Sequence, residues 1–191
     1  MKVVAIDVGL KNLSICIINF DSTEEYKILF WKTIDCVTTW TDTKKKFPKK
    51  PSIQNQVDAV IFALQSLNEK FSGAEHVWIE NQPVGVRNAC GNTAMKCIQH
   101  SIQSYFLINF PAAAIVMVSP GIKLGKQAPK EYGKRKKLAV TTVLSILKNS
   151  EKNCILSNPY IQQITQSKKA DDLADSFLIA YNYYKKLNKS E

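Results

Sequence analysis

Four acidic residues in this sequence could act together as metal ligands. Asp7 ends an apolar, β-branched run at residues 3–6, and Glu80 ends a second apolar run. Asp172 and Asp175 lie one helical turn apart in a C-terminal segment with amphipathic periodicity. Carboxylates are costly to bury without a cation or hydrogen bonds, and several in one place repel one another. The pattern therefore predicts a site in which cations lie between carboxylates.

Each of these acids also has a simpler interpretation. Asp7 could accept hydrogen bonds from the turn that follows it, and Glu80 could face solvent at the end of its strand. Asp172 and Asp175 could stabilise the start of their helix through its dipole. Asp171 competes with Asp172, because Asp171 and Asp175 also share a helix face. The three-residue spacing favours Asp172.

The ligand chemistry points to hard divalent ions and to reactions at phosphorus. The five cysteines form no C-x-x-C pair, and the chain has only two histidines, so a zinc site is not predicted. Carboxylate ligands suit Mg²⁺ or Mn²⁺. Two such ions about 4 Å apart would offset the repulsion and support in-line displacement at a phosphodiester. We therefore predict a nuclease with two metal ions per active site.

Basic residues are expected to bind the polyanionic substrate, since the formal net charge is +10. We expect Lys137, or next Lys136, to balance the charge that develops at the scissile phosphate. A second lysine-rich stretch, at residues 44–50, is interpreted as a solvated loop, with phosphate contact as the alternative. The residues predicted to contact DNA share one segment, which contains a single acid, Glu131; they are Lys123, Lys126, Lys130, Lys134, Arg135 and Lys136.

The elements that must position these residues mix strands and helices in a single domain, residues 1–191. Gly9 and Asn12 bracket a tight turn, because both residue types tolerate positive φ. Loops are predicted at residues 38–52 and 121–130, and residues 149–168 have no clear pattern. We predict strands at residues 3–6, Leu13–Phe20, Tyr26–Ile34, His76–Glu80 and 112–118, and helices at residues 53–71, 92–110, 131–148 and 170–184.

Several classes of protein are excluded by the same sequence. No apolar run approaches the ~20 residues of a membrane span. Asp7 falls where the apolar stretch of a secretory signal would lie. An odd number of cysteines, five, indicates reduced thiols and therefore an intracellular, reducing location.

Four short motifs together resemble the RuvC-like Holliday junction resolvases, and they are most similar to the poxvirus resolvase branch. They are Ile-Asp-Val-Gly-Leu-Lys-Asn at residues 6–12, Ile-Glu-Asn-Gln at 79–82, Arg-Lys-Lys-Leu-Ala-Val at 135–140 and Lys-Lys-Ala-Asp-Asp-Leu-Ala-Asp-Ser at 168–176. Each motif alone is weakly specific, but the order and spacing of the four together are fairly specific. The resemblance extends from residue 3 to about residue 180.

The resemblance implies an α/β protein with an RNase H-like fold, in which a five-stranded mixed sheet, its first three strands antiparallel, is flanked by helices. It implies a homodimer that uses Mg²⁺ or Mn²⁺ to nick two opposed strands of a four-way DNA junction. The acids of the family map onto Asp7, Glu80, Asp172 and Asp175, and its lysine maps onto Lys137. A viral enzyme of this kind would resolve replicated or recombined genomes in the cytoplasm of the infected cell.

Three other functions compete with this interpretation. ATP-handling enzymes of the actin or sugar-kinase type also begin with a strand-Asp-x-Gly hairpin, but they need two such domains, and 191 residues are too few. A non-catalytic DNA-binding module on the same fold would not need four acids, which would weaken DNA binding. Another RNase H-like nuclease, one that cuts RNA–DNA hybrids or other branched DNA, is compatible with the acids alone.

Overall fold

The computed structural model describes most of the chain, including all four candidate acids. The described residues are 1–22, 25–43, 46–83, 89–125, 128–149 and 157–188, with the side chains of residues 89–92 and 157–158 excepted.

Five strands and seven helices form the described structure. The strands are β1 (Lys2–Asp7), β2 (Leu13–Phe20), β3 (Tyr26–Ile34), β4 (His76–Glu80) and β5 (Ala114–Val118). The helices are α1 (Cys36–Thr43), α2 (Ile53–Gln65), α3 (Asn68–Phe71), α4 (Ala89–Asn109), α5 (Tyr132–Asn149), α6 (Ser157–Gln166) and α7 (Ala170–Leu187). A single 3₁₀ turn, Pro120–Ile122, follows β5.

The five strands form one mixed sheet in the order β3-β2-β1-β4-β5. The first three strands are antiparallel to one another, whereas β4 is parallel to both β1 and β5. This is the predicted sheet. Because β1 and β4 are parallel neighbours, their carboxyl ends lie side by side, and each ends in one of the predicted acids.

Helices cover both faces of the sheet, so the central strand is buried on each side. Alternate residues of β1 pack into different cores: Val3 and Ala5 into one with α5, α6 and α7, and Val4 and Ile6 into another with α2 and α4. By the same alternation Asp7 lies on the α7 face. Glu80 shares that face, because it lies two residues after Trp78, which belongs to the α7 core.

The predicted loop at residues 38–52 is partly wrong, because residues 38–43 belong to α1. Asp35 starts this helix: its Oδ1 accepts hydrogen bonds from the backbone N–H groups of Val37 at 3.0 Å and Thr38 at 3.2 Å. Lys44 and Lys45, part of the lysine-rich stretch, lie outside the described residues.

Two other differences concern helices. The predicted helix at residues 53–71 begins at its predicted cap, Ser52, but is divided into α2 and α3 by a tight turn in which Leu67 N–H bonds to the Leu64 carbonyl at 3.0 Å. Part of the unassigned stretch at 149–168 forms α6.

Gly9 is required in the β1–β2 turn, but not for the predicted reason. Among the described residues only Gly73 and Gly125 have positive φ. A Cβ on Gly9 would lie 2.8 Å from the carbonyl oxygen of Asn12, closer than real Cβ atoms approach backbone. The turn therefore needs the missing side chain for close backbone contact.

Candidate active site

Asp7 and Glu80 lie together at the carboxyl edge of the sheet. In the β1–β4 ladder, Asp7 and Glu80 directly follow the last pair, Ile6 and Ile79. Asp7 is 8% exposed and is the only charged residue that is buried among the described residues. Helix α7 packs across this part of the sheet and brings Asp175 to the two strand ends.

The three carboxylates converge on the ammonium group of Lys123. Its Nζ lies 2.8 Å from Asp7 Oδ1, 2.8 Å from Glu80 Oε1 and 2.8 Å from Asp175 Oδ2. The Lys123 side chain is only 11% exposed. The sequence predicted Lys123 as a DNA contact, whereas the structure places it at the centre of the acid cluster.

Helix α7 also fixes the backbone that carries Lys123. The 3₁₀ turn at Pro120–Ile122 redirects the chain after β5. The side-chain amide of Asn182 then donates to the carbonyl oxygens of Ile122 at 3.1 Å and Lys123 at 3.0 Å. The same helix therefore anchors Lys123 and supplies one of its carboxylate partners.

Polar residues after β4 orient the Glu80 carboxylate. Gln82 Nε2 donates to Glu80 Oε2 at 3.0 Å. The backbone N–H of Gln82 donates to Oε1 of the buried Gln99 at 2.7 Å, and Lys96 Nζ donates to Asn81 Oδ1 at 2.7 Å. Helix α4 thus holds the segment that carries the second acid.

A buried pair of serines joins α7 to the sheet beside the acids. Ser14 pairs with Asp7 across the β1–β2 ladder, and Ser176 follows Asp175. Their Oγ atoms are 2.9 Å apart, and Trp31 Nε1 donates to the Leu173 carbonyl at 2.9 Å. These bonds fix the position of α7 along the sheet, and therefore the position of Asp175 relative to Asp7.

Asp171 and Asp172 have different environments, which bears on the choice between them. Asp171 forms an ion pair with Lys136, whose ammonium lies 4.7 Å from the centre of the Tyr132 ring. Oδ2 of Asp172 is buried and has no hydrogen-bond partner within the described structure. A buried carboxylate oxygen without a partner is costly, and a metal ion would satisfy it. This observation favours Asp172 as a ligand.

The strand-end acids have unequal proton affinities. Burial, and then a hydrogen bond shared with Glu80, raises the pKa of Asp7 well above its ordinary value. Burial acts in the same direction on Glu80, but the hydrogen bond with Asp7 and the nearby Lys123 outweigh it and lower the Glu80 pKa. Burial chiefly raises the pKa of Asp175. Burial acts to lower the pKa of Lys123, but the three carboxylates outweigh it and raise that pKa, so Lys123 stays charged.

A cleft of about 460 Å³ opens beside this cluster. Its lining includes three candidate ligands, Glu80, Asp172 and Asp175, together with Arg135 and Lys136. The cleft thus brings candidate ligands and two of the predicted DNA contacts together.

The other predicted basic residues lie around this cleft or outside the described chain. Lys137 lines an adjoining groove of about 410 Å³ together with Thr141, Ser167 and Lys168, not the cleft itself. Lys130 and Lys134 are exposed, and Lys134 pairs with Glu131 at 2.8 Å. Lys126 lies outside the described residues.

Sequence reasoning missed the contacts that organise the site: Lys123 among the acids, Asn182 under its backbone, and Gln82 on Glu80. The Pro-Gly turn after β5 was the available signal for Lys123, because it places the next residues at the carboxyl edge of the sheet. Tyr132 was also missed; its ring is 64% exposed and lines the cleft.

The donor set fits hard divalent cations. Within the described chain no three acids, cysteines or histidines already stand at ligand distances from a common point. Three carboxylates nevertheless surround one cationic nitrogen, and a fourth has an unpartnered oxygen beside them. Oxygen-only donors of this kind suit Mg²⁺ or Mn²⁺.

Comparison with known proteins identifies the family. The sequence model described as "Poxvirus A22 protein" matches residues 1–189 of the chain. This chain belongs to that family. The resemblance inferred from the four motifs is thereby confirmed. A search of the curated proteins finds no match to this A22 family member.

Solved structures similar to the A22 family member are Holliday junction resolvases. The yeast mitochondrial resolvase Ydc2 has a TM-score of 0.62 at 18% identity, over 95% of this chain and 77% of Ydc2. RuvC of T. thermophilus, in complex with a Holliday junction substrate, has a TM-score of 0.59 at 13% identity, over 98% and 96% of the two chains. The Fowlpox virus resolvase, in complex with Holliday junction DNA, has a TM-score of 0.59 at 18% identity, over 96% and 99%. These likenesses confirm the predicted RNase H-like fold.

Proposed function

We propose that this chain is a Holliday junction resolvase, a metal-dependent endonuclease that makes paired, symmetric nicks in four-way DNA junctions. The observation that carries the proposal is the convergence of Asp7, Glu80 and Asp175 on one cationic centre beside a cleft that Arg135 and Lys136 also line. Membership of the A22 family and the fold shared with junction-bound resolvases support the same function.

Asp7, Glu80, Asp172 and Asp175 would hold two Mg²⁺ or Mn²⁺ ions. When bound, these ions would supply Lewis-acid activation of water and stabilise the leaving 3′ oxygen. The chain's own contribution is positional: β1 and β4 fix two ligands on a rigid sheet, and α7 fixes the other two. Rigid elements hold catalytic groups more accurately than loops do.

Basic residues would position the substrate and balance its charge. Lys136 lines the cleft itself, so we assign it the role of balancing charge at the scissile phosphate. Lys137 lines the adjoining groove, where it would contact the DNA backbone further along the strand. The remaining DNA contacts that we propose are Lys123, Lys126, Lys130, Lys134 and Arg135.

Two coordinated nicks on one junction require two active sites, so the proposed active species is a homodimer. Its proposed location is the cytoplasm of an infected host cell, a reducing compartment. The free thiols of Cys16 and Cys36, both buried in the core, are compatible with that location. No helix in the described part of the chain is long and apolar enough to cross a membrane.

The test is cleavage of a labelled four-way junction in Mg²⁺, beside a matched duplex and an RNA–DNA hybrid. We expect symmetric paired nicks on the junction alone. Asp175→Asn should lower the rate by about 10²–10³-fold, the loss typical when one group that stabilises the transition state is removed. Asp42→Asn, an exposed acid on α1, is the matched control and should cleave normally.

Other outcomes would assign a different function. Cleavage of the hybrid or the duplex instead of the junction would indicate another RNase H-like nuclease. Tight junction binding with no cleavage in Mg²⁺ or Mn²⁺ would indicate a non-catalytic binding module. Equal activity in Asp175→Asn and wild type would contradict the assigned site.

A further inference from the structure

Lys123 occupies the position at which the proposed metal ligands face one another. Its ammonium nitrogen is equidistant, at 2.8 Å, from three of the four carboxylates assigned to the metal. Mg²⁺ binds carboxylate oxygens at about 2.0–2.1 Å and demands near-octahedral geometry. An ammonium group in contact with the same oxygens would block that geometry and repel the ion across a few ångströms.

We infer that Lys123 is an internal counter-cation that a divalent metal ion must displace from the carboxylates. This inference rests on the proposed function, since it concerns the same metal site. Binding of the metal ion and departure of the Lys123 ammonium from the carboxylates are then a single event. The lysine lowers the apparent affinity for metal, and in return it keeps the acids from repelling one another when no metal is bound.

The surroundings of Lys123 allow this movement in the side chain alone. Its backbone carbonyl is held by Asn182 at 3.0 Å, so the main chain stays in place. The side chain lines the cleft that also contains Arg135 and Lys136. The displaced ammonium would therefore enter the space assigned to DNA, where a phosphate could replace the carboxylates as its partner.

This exchange couples metal binding to DNA binding. A phosphate that captures the released ammonium lowers the free-energy cost of displacing it. DNA should therefore raise the affinity for metal, and by linkage metal should raise the affinity for DNA. Lys136, the nearby lysine on α5, does not take the place of Lys123 among the three carboxylates, because it is paired with Asp171.

The first experiment measures Mn²⁺ binding without DNA, by electron paramagnetic resonance of the free ion. Wild type is compared with Lys123→Met and with Lys27→Met, an exposed lysine on β3 that undergoes the same change in charge. Removing the competing cation should tighten Mn²⁺ binding by about tenfold, or about 1.4 kcal/mol. Lys27→Met should bind as wild type does.

The outcomes separate this inference from the proposed function. If Lys123→Met binds Mn²⁺ no more tightly than wild type does, Lys123 is not a competitor and the inference is overturned, while the metal site stands. If none of the three proteins binds Mn²⁺, the metal site of the proposed function fails and the inference fails with it.

A second measurement uses the wild-type protein, in case Lys123→Met does not fold. The side-chain ammonium of a buried, hydrogen-bonded lysine exchanges slowly enough to be followed by ¹H–¹⁵N NMR. Saturation with Mg²⁺ should shift the Lys123 ammonium signal or abolish it through fast exchange with water. An unchanged Lys123 signal at Mg²⁺ saturation would show that the lysine stays in place and would overturn the inference.

Discussion

Asp7 shows at the level of one residue how a proposed metal ligand can oppose stability. Its carboxyl group is buried at the end of a central strand, in contact with a second carboxyl group and one lysine. Burial raises its pKa, which means that the folded protein destabilises the ionised form. We therefore expect Asp7 to lower the stability of the protein whenever metal is removed.

Replacing Asp7 tests this cost directly. In a chelator at neutral pH, Asp7→Asn should increase the free energy of unfolding, because the raised pKa of Asp7 means that its ionised form disfavours the folded state. The same variant should lose junction cleavage. Urea denaturation measures the first effect, and Asp42→Asn provides the control. A variant less stable than wild type would mean that Asp7 stabilises the fold through Lys123.

The pH dependence of stability should reflect the same shift. Because the pKa of Asp7 is raised on folding, the folded chain binds more protons than the unfolded chain at pH values above the ordinary aspartate pKa of about 3.9. The Asp7 contribution to the free energy of unfolding should therefore fall as pH rises from about 4 toward the raised pKa. The stability difference between Asp7→Asn and wild type, measured in chelator, should grow over this window and then level off. A difference that is constant with pH would contradict the shift.

At the level of elements, the register between α7 and the sheet depends on buried hydroxyl groups. Ser14 and Ser176 are fully buried and contact each other at 2.9 Å, and Trp31 Nε1 reaches both Ser176 Oγ and the Leu173 carbonyl. Apolar contacts alone are not directional. This polar contact is what fixes the position of α7 along β2.

The effects of the two serines on the free energy of unfolding should not be additive. Ser14→Ala leaves the Ser176 hydroxyl with fewer partners in a dry core, and we expect it to destabilise by about 1–3 kcal/mol. The double variant, Ser14→Ala with Ser176→Ala, should lose less stability than the sum of the two single variants, because it leaves neither hydroxyl without its partner. Urea denaturation of all four members of the cycle measures the coupling. Strictly additive effects would mean that the two hydroxyls do not interact.

The elements differ in how far sequence could predict them. Leu13–Phe20, Tyr26–Ile34 and His76–Glu80 were predicted to the residue, because alternating or continuous apolar runs between turn residues are local signals. Helix α1 was missed because threonines dominate it and its cap, Asp35, stands directly after a strand. Asp7 and Glu80 could be predicted as candidate ligands because each lies at the end of an apolar strand. The contact of Lys123 with Asp7 spans 116 residues of sequence, and no local pattern encodes it.

At the level of the whole molecule, positive charge surrounds an acidic centre. The net charge is +10, yet four acids meet at one edge of the sheet. Long-range attraction would bring DNA to the protein, and the acids would repel its backbone locally until metal offsets them. DNA affinity should therefore depend on salt through the basic rim and on metal through the acids.

Salt dependence can identify the residues of the rim. Each lysine that contacts a phosphate adds about 0.9 to the slope of log affinity against log salt. Lys137→Ala should reduce this slope by about 1 for a four-way junction, measured in Ca²⁺ by fluorescence anisotropy. Lys27→Ala, on the edge strand β3, should leave the slope unchanged. Equal slopes for wild type and Lys137→Ala would remove Lys137 from the DNA interface.

The position of α7 in the chain has a consequence for biosynthesis. This helix is the last described element to leave the ribosome, and it supplies two candidate ligands and the anchor for Lys123. It also supplies Phe177, Leu178 and Ile179, all fully buried against the sheet. A nascent chain that stops short of α7 therefore has neither a complete nuclease site nor a closed core. Assembly of the candidate site and closure of the core therefore both require α7.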